Sequence, residues 1–278
     1  MIVTQRTMAA FLTPEGFSQP SVTAVLREGS LVTEVGRYAV HALGSRGARR
    51  RTPYGSRPAR VSEPVLLVPG FLAGDSSLRP MSRSLRHDGF RTYRADIRAN
   101  VGCTRAAAAQ LEERLEEIAL RRGSRVRIVG HSLGGMLARG VAASRPDLVS
   151  GIVTMGSPML APGAHHASLA RSVDLLVRLN RAGIRTVMAE DCVAGSCALE
   201  SFTQARAELP DEVDFTAIYS RRDGIVDWRA CIDPAARPVE VRSSHVGMAF
   251  DPTVIAAVSA SLRPGATSVV EVDRGEIA

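Results

Sequence analysis

The sequence predicts an α/β fold with a mostly parallel sheet of about six strands flanked by helices. From residue 64 onward, short apolar runs rich in Val, Ile and Leu alternate with segments of helical periodicity. One run passes directly into a helical pattern through a Gly-x-Ser-x-Gly motif at 130–134. The alternation is interrupted at 158–212, a length that indicates an insertion between two strands. Such alternation is typical of a parallel sheet that helices cover on both faces.

The first 63 residues are predicted to form a helical extension followed by a linker. Apolar positions over 21–44 recur as expected for one or two helices that pack on the main body. From Ser45 to Pro64 the composition shifts to Gly, Arg, Pro and Ser, which is typical of linkers. We therefore expect the main domain to span 64–263 and the residues 264–278 to form a loosely attached tail.

Each element of the main domain has its own signal in the sequence. Apolar runs predict strands, and helical periodicity with a cap or a stop predicts helices. The predicted strands are 65–68, 90–95, the run that enters the motif at 130–134, 151–155, 215–219 and 238–241. The predicted helices are 78–87, the helix that Thr104 caps and Gly123 ends, 133–144 and 252–262.

Ser132 occupies the turn between the third strand and its helix. The five-residue pattern alone is a weak signal, and an ordinary Gly-Ser turn is the competing interpretation. The apolar strand before it and the helix after it favour a nucleophile elbow, in which Gly130 and Gly134 remove Cβ atoms that would clash as strand and helix close on each other. The helix N-terminus also aims the N–H of Leu133 at negative charge on an attacked carbonyl oxygen. The motif thus predicts a nucleophile and one oxyanion donor.

A serine becomes a strong nucleophile only with a base in reach and an acid that orients the base. Asp223 and Asp227 both follow the penultimate predicted strand, and His245 follows the last one. For His165 and His166, which lie in the insertion, substrate contact and a solvated surface are the two interpretations. The remaining histidines are His41 and His87, expected at the surface, and His131, expected to point away from Ser132.

Five motifs in this order resemble the α/β-hydrolase superfamily, and more narrowly its bacterial lipase and esterase branch with lipase class 2. They are Val-Pro-Gly-Phe at 68–71, Gly-His-Ser-Leu-Gly-Gly at 130–135, Gly-Ser-Pro at 156–158, Tyr-Ser-Arg-Arg-Asp-Gly-Ile-Val-Asp-Trp at 219–228 and Ser-His-Val-Gly-Met at 244–248. The resemblance covers about residues 64–263. The chain has Pro-Gly where many members carry His-Gly before the oxyanion residue, which leaves the substrate preference open.

The resemblance implies an α/β-hydrolase fold and carboxylic ester hydrolysis through an acyl-enzyme. In that arrangement the acid and then the histidine follow the serine along the chain. Ser132 would attack the ester, His245 would shuttle the proton and Asp223 would orient His245. Asp227 is the alternative acid, and Asp223 is preferred because it lies nearer the strand end and precedes a glycine.

The resemblance also implies which residue supplies the second oxyanion donor and what role the insertion has. The N–H of Phe71 would join that of Leu133, with Leu72 as the alternative because the register of the turn allows either residue. The insertion 158–212 lies where the carboxyl ends of the strands meet the site, so we expect a lid or cap, with a plain surface excursion as the alternative. Its apolar residues favour an acyl chain of some length over a small polar ester.

Other reactions use the same three residues. Thioester hydrolysis and acyl transfer to an alcohol proceed through the same acyl-enzyme, and water access decides between them. A non-catalytic binding protein with a hydrolase fold is less favoured, because all three triad candidates are present.

The charge comes entirely from arginine. All 35 of the residues counted as Lys or Arg are arginines, and against 28 Asp and Glu residues they give a formal net charge of +7. Aromatic residues make up only 4% of the chain. Nucleic-acid binding is not expected, because the arginines are dispersed apart from those at 49–51 and lack stacking aromatics. The expected partner is a small ester or lipid substrate. Transient contact with a membrane or lipid surface stays open, as does the oligomeric state.

No cofactor and no metal are expected from the sequence. No aspartate cluster has calcium-loop spacing, and no His/Cys set with zinc spacing is evident. Cys192 and Cys197 enclose a tight loop while Cys103 and Cys231 lie far apart, and spacing does not decide whether any of them pair. No signal peptide or transmembrane run is evident, so a cytoplasmic location is expected, or an extracytoplasmic one if the cysteines pair.

Overall fold

The sheet has six strands that all run parallel, in the order β2-β1-β3-β4-β5-β6. The structure, a computed structural model, describes residues 10–51 and 63–263. The strands are β1 Pro64–Val68, β2 Arg91–Arg94, β3 Val126–His131, β4 Val149–Met155, β5 Asp214–Tyr219 and β6 Arg237–Glu240. The predicted α/β class and the predicted number of strands are confirmed.

Eight α-helices lie within the described residues. They are α1 Leu31–Arg51, α2 Arg79–His87, α3 Thr104–Arg122, α4 Leu133–Ser144, α5 Ala167–Arg181, α6 Asp191–Ala194, α7 Ser196–Gln204 and α8 Pro252–Ser261. Gly123 ends α3 in the left-handed conformation, with a φ of 62°, as predicted. Thr104 was wrongly expected to cap this helix. Cys103 is the N-cap, and the Thr104 hydroxyl shares a hydrogen bond with that of Ser201.

Two apolar layers cover the two faces of the sheet. On one face, residues of α2 and α8 such as Met81, Leu85 and Val258 pack against the strands. On the other, residues of α3 and α4 such as Leu115 and Val141 do the same. Burial on both faces explains why the inner strands read as continuous apolar runs rather than as alternating patterns.

The order of the strands creates a crevice for a site. The chain leaves β1 on one side toward β2 and returns through α3 to β3 on the other side, so the connections diverge at the carboxyl ends of β1 and β3. Ligands of open parallel sheets bind at such a switch point. Phe71 follows β1 and Ser132 follows β3.

The insertion between β4 and β5 carries α5, α6 and α7. Its residues Val173, Val177 and Met188 form a small apolar cluster against which Phe71 of the β1 loop packs. The helix α7 lies against α3 and α4. The contact between Phe71 and this cluster places α5 beside the loop that follows the carboxyl end of β1.

The described N-terminal segment carries two 3₁₀ helices, Ala10–Leu12 and Val22–Ser30, and the second continues directly into α1. The helix α1 continues to Arg51, into the segment that the sequence predicts as a linker. The rest of that predicted linker, 52–62, and the predicted tail, 264–278, lie outside the described residues. None of the described helices combines the length and the apolar character that crossing a membrane requires.

Candidate active site

Ser132 sits in a strained turn between β3 and α4. Its φ of 52° and ψ of −122° lie outside the conformations that residues with a side chain prefer, which costs on the order of 1–3 kcal/mol. The N–H of Ser132 donates to the carbonyl of Met155 at 2.8 Å, and this bond helps to hold the turn. Strain stored in this way is a mark of functional sites.

Close packing around the elbow requires its glycines. A Cβ at Gly130 would lie 2.4 Å from the Cα of Gly135, which confirms the predicted contact between strand and helix. A Cβ at Gly134 would instead lie 2.3 Å from the carbonyl oxygen of Val68. The expected clash at Gly134 therefore involves the neighbouring strand β1 rather than β3, and this glycine brings the β1 loop close to Ser132.

Asp223 and His245 form a buried pair. His245 Nδ1 donates to Asp223 Oδ2 at 2.6 Å, and the other carboxylate oxygen accepts the N–H groups of Ile225 and Val226 at 2.8 and 2.9 Å. Because the carboxylate only accepts, it fixes the proton on Nδ1 and leaves Nε2 of neutral His245 as the acceptor. A histidine held in this tautomer is equipped to act as a general base.

Asp227 is not directed at His245. Its Oδ1 accepts the N–H of Arg229 at 3.1 Å and so caps a 3₁₀ helix, Trp228–Cys231, while Oδ2 accepts the N–H of Ser18 at 3.3 Å. The structure thus brings Asp223, and not the alternative acid, to the histidine.

The environment of His245 favours its protonated form. Burial by itself lowers the pKa of the imidazole, but the charge of Asp223, its hydrogen bond and, more weakly, the charge of Glu28 outweigh burial. The pKa of His245 is therefore raised above its ordinary value of 6.5. An imidazolium stabilised in this way is what a base needs after it has taken a proton from a nucleophile.

The N-terminal segment holds the loop that carries His245, a feature that sequence reasoning missed. Glu28 Oε1 accepts the N–H groups of His245 and Gly224 at 2.9 and 3.0 Å, so one carboxylate joins the loops of both Asp223 and His245. The buried Glu34 accepts the N–H and the hydroxyl of Ser244 at 2.7 and 2.5 Å. Both carboxylates lie more than 200 residues before the loop they bind, and no local pattern indicates such contacts.

His131 also contacts the His245 loop rather than solvent. Its Nε2 lies 2.9 Å from the carbonyl oxygen of His245, and the two imidazole rings are 5.0 Å apart at their centroids. Burial, aided by the positive charge of His245, lowers the pKa of His131 to about 4. His131 is therefore neutral at physiological pH and donates its Nε2 proton to the loop.

Ser132 and His245 lie on neighbouring loops at the carboxyl ends of the strands. A Cβ at Gly156, which follows β4, would meet the imidazole of His245 at 3.1 Å, so this glycine lets the ring approach the elbow. The hydrogen bonds found among the described residues do not include one between Ser132 Oγ and His245 Nε2. Such bonds are often long before substrate binds and tighten in the reacting complex.

The turn after β1 leaves Phe71 as the predicted oxyanion donor. The alternative donor, the N–H of Leu72, already donates to the carbonyl of Asn100 at 3.1 Å, and Leu72 has a positive φ of 61°. Asn100 is buried, and its Nδ2 donates to the carbonyl of Pro69 at 3.0 Å. Asn100 thus holds both ends of the turn, and the sequence gives no signal for this role.

An apolar cleft begins at Ser132. Its walls come from α4, from the insertion and from Leu12 of the N-terminal segment. The apolar residues that line it include Phe71, Met136, Leu169, Val173, Phe202 and Val226. A cleft with this apolar lining is suited to an acyl chain.

His165 and His166 are buried, so the expectation of a solvated surface is wrong. His165 Nδ1 lies 2.9 Å from the carbonyl oxygen of Pro162 and His166 Nδ1 lies 2.9 Å from the hydroxyl of Ser168. His165 lines the cleft, and burial lowers its pKa. Contact with a substrate stays the open interpretation for His165.

Comparison with known proteins places this chain in a family. A model of the alpha/beta hydrolase fold matches residues 63–215, more than half of the chain, and the chain therefore belongs to the alpha/beta hydrolase fold family. The match includes the Ser132 elbow and ends before Asp223 and His245.

Relatives in sequence and structure agree with this assignment. A triacylglycerol lipase from Vibrio cholerae is 32% identical over 115 residues, which are 40% of this chain and only 36% of the length of that relative. The mature lipase BlEst2 of Bacillus licheniformis shares the fold with a TM-score of 0.56 at 14% identity, covering 74% of this chain and 94% of that one. A structure from the pair LipS and LipT, two metagenome-derived lipolytic enzymes, has a TM-score of 0.52 at 15% identity and covers 73% of this chain and 94% of that one.

Proposed function

We propose that this chain is a serine hydrolase of carboxylic esters that acts on lipid-like acyl esters through an acyl-enzyme. The observation that carries the proposal is the Asp223–His245 pair, joined at 2.6 Å, beside a serine elbow that opens into an apolar cleft. The similarity of one part of the chain to a triacylglycerol lipase supports an acylglycerol-type ester as the substrate.

The reaction assigns one role to each residue. His245 Nε2 takes the proton of Ser132 as Oγ attacks the ester carbonyl, and Asp223 stabilises the imidazolium that forms. The N–H groups of Phe71 and Leu133 hold the oxyanion of the tetrahedral intermediate. His245 then gives its proton to the leaving alcohol, and a water activated by His245 releases the acid from Ser132.

The cleft determines the proposed substrate class. Its walls are apolar over most of their extent, so an acyl chain that fills it leaves water, and each buried methylene contributes about 0.8 kcal/mol. A short acyl group would forgo this gain. We therefore assign the cleft to the acyl chain and expect esters of medium or long acids to react with the higher kcat/KM.

The proposal includes the domain organisation. The catalytic domain spans 64–263, and its insertion at 158–212 acts as a lid because it forms one wall of the cleft. The N-terminal extension serves the site through Glu28 and Glu34, which hold the loops of Asp223 and His245.

The test is hydrolysis of p-nitrophenyl esters from acetate to palmitate. We expect Ser132→Ala to abolish turnover and the wild type to have its optimum beyond butyrate. Ser144→Ala is the matched control, because Ser144 lies at the other end of α4, where its hydroxyl donates to the carbonyls of Gly140 and Val141 and to Glu112 and accepts from Gln204. Turnover that survives in Ser132→Ala, or that is lost equally in Ser144→Ala, would contradict the assignment.

A second arm of the same test separates hydrolysis from acyl transfer. Adding a simple alcohol to the assay yields a transesterified product if the acyl-enzyme prefers an alcohol to water. We expect the free acid to be the main product. A dominant new ester would keep the nucleophile and replace hydrolysis with acyl transfer.

A further inference from the structure

Three of the four cysteines meet at one point. Cys103 lies at the start of α3, while Cys192 and Cys197 belong to α6 and α7 of the insertion. Their Sγ atoms lie within 4.8 Å of one another, with 3.5 Å between Cys103 and Cys197 and 3.9 Å between Cys197 and Cys192. All three are free thiols.

The geometry points to a trithiolate site for Zn²⁺ formed by Cys103, Cys192 and Cys197. Zinc binds thiolate sulfur at about 2.3 Å in a tetrahedron, so two sulfurs on one zinc lie about 3.8 Å apart. The Cys103–Cys197 and Cys197–Cys192 separations, 3.5 and 3.9 Å, lie on either side of this value. A tetrahedral ion held by three sulfurs keeps a fourth position for water or another ligand.

The sequence around two of the cysteines has the spacing of a zinc loop. Cys192 and Cys197 are separated by four residues, which is within the spacing of paired ligands in structural zinc sites. Asp191 closes this loop, because its Oδ2 accepts the N–H of Cys197 at 3.3 Å. A Cβ at Gly195 would lie 2.0 Å from Asp191 Oδ1, so a side chain at this position would displace the carboxylate that closes the loop. The two sulfurs are thus held in place before a metal binds.

The third cysteine adds a favourable electrostatic setting. Cys103 is the N-cap of α3, a helix of 19 residues whose N-terminus carries partial positive charge. Three thiolates on one divalent zinc leave a net charge of about −1, which that end of the helix stabilises. Zinc is the appropriate class of metal, because thiolate ligands select soft and borderline cations over calcium or magnesium.

A disulfide fits the same atoms less well. The Cys103–Cys197 pair would have to close from 3.5 Å to about 2.0 Å, and the third thiol would be left without a role. One zinc would use all three sulfurs.

The site would fasten the insertion to the body of the protein. Next to the cysteines, Thr104 and Ser201 share a hydrogen bond of 3.0 Å, and Met188 donates to the carbonyl of Val101 at 2.8 Å. Cys192 also lines the cleft. Zinc would therefore fix the wall of the cleft that α6 and α7 provide, and this role does not depend on the proposed hydrolase reaction.

The experiment is metal analysis of the reduced, full-length protein, followed by titration with Zn²⁺ and Co²⁺. We expect one zinc per chain and, for the cobalt form, the sulfur-to-cobalt charge-transfer band and visible bands of tetrahedral thiolate coordination. Single variants Cys103→Ser, Cys192→Ser and Cys197→Ser should each weaken zinc binding at least tenfold and reduce the charge-transfer band. Cys231→Ser, which changes the one cysteine outside the cluster, should leave both unchanged.

Hydrogen exchange supplies a readout that does not require activity. Chelation of zinc from the wild type should raise exchange in 191–204, and the same treatment should leave Cys103→Ser unchanged. Failure of the reduced wild type to bind Zn²⁺ or Co²⁺ would overturn the proposal, as would full binding by a variant that lacks all three thiols. If the protein yields a Cys103–Cys197 disulfide peptide before reduction and binds no metal after reduction, the cysteines form a disulfide and the zinc proposal is wrong.

Discussion

Glu28 offers the most specific test of how the N-terminal segment supports the site. Its carboxylate accepts the N–H groups of His245 at 2.9 Å, Gly224 at 3.0 Å and Val246 at 3.3 Å. Hydrogen bonds to a charged group contribute about 1.5–3 kcal/mol each. Because Glu28 is only partly buried, water replaces part of this loss in Glu28→Ala, and we expect the free energy of unfolding to fall by about 2 kcal/mol.

The catalytic effect of Glu28→Ala should exceed its effect on stability. The carboxylate joins the loops of Asp223 and His245, so its removal lets the base move relative to Ser132. A displacement of about 1 Å costs up to about 100-fold in rate, and we expect kcat/KM to fall between about 10-fold and 100-fold. Urea denaturation and ester hydrolysis measure the two effects.

Glu28→Gln separates the charge from the hydrogen bonds. The amide oxygen still accepts, but the negative charge that helps to raise the pKa of His245 is gone. Neutral His245 is the active base, so activity falls as pH drops through its pKa, and we expect this acidic limb to move to lower pH. Glu15→Ala is the matched control, an exposed acid of the same segment. Wild-type kcat/KM in Glu28→Ala together with an unmoved limb in Glu28→Gln would refute the reasoning.

Three further changes test other parts of the account. Asp223→Asn should lower kcat/KM about 10³- to 10⁴-fold. It should also move the acidic limb of the pH profile to lower pH, and further than Glu28→Gln does, because Asp223 contributes more to the raised pKa of His245. An acidic limb at the wild-type pH would contradict this prediction. Gly134→Ala should lower the free energy of unfolding by more than about 3 kcal/mol in urea denaturation, because its Cβ would lie 2.3 Å from the carbonyl oxygen of Val68. Gly140→Ala on the same helix, with its nearest contact at 3.6 Å, should raise the free energy of unfolding by up to about 1 kcal/mol. Equal effects of the two variants would contradict the packing argument. The pKa of His131 is about 4 in the folded protein and 6.5 in the unfolded chain, so the unfolded chain binds the proton first as pH falls. About 3 kcal/mol of stability should therefore be lost between pH 6.5 and pH 4. His131→Gln should lose less stability over this window, and identical curves of stability against pH for the two proteins would rule out His131 as the source.

Most of the fold could be predicted from the sequence because its signals are local. Strands buried on both faces read as apolar runs, and the helices between them end at glycine or proline, as at Gly123 and Arg145-Pro146. The error at the start of α3 also has a local cause. Thr104 has the residue type of a cap, but the chain enters the helix one residue earlier, and the Thr104 hydroxyl bonds to Ser201 instead.

The site could be predicted only where its residues follow strand ends. Ser132, Asp223 and His245 each come directly after or close behind a strand, so the parallel topology brings them to one edge of the sheet. Glu28, Glu34 and Asn100 lie in segments without a recognisable motif, and their roles depend on contacts across the fold.

Sequence reasoning missed the cysteine cluster for the same reason. Cys192 and Cys197 suggested only a tight loop, since Cys103 lies 94 residues from Cys197 along the chain. Its place beside them follows from the packing of α7 on α3. The expectation that no metal binds overlooked that the four-residue spacing of Cys192 and Cys197 suits paired zinc ligands, and the proposed zinc site replaces it with a prediction that metal analysis decides.

Covalent labelling with a fluorophosphonate tests the central claim most directly. The probe phosphonylates a serine only when a base activates it, so it reports the nucleophile without any choice of ester. We predict one adduct per chain, found by mass spectrometry on the peptide that contains Ser132, absent in Ser132→Ala and formed far more slowly in His245→Ala. No adduct on the wild type, or an adduct that persists in Ser132→Ala, would contradict the account.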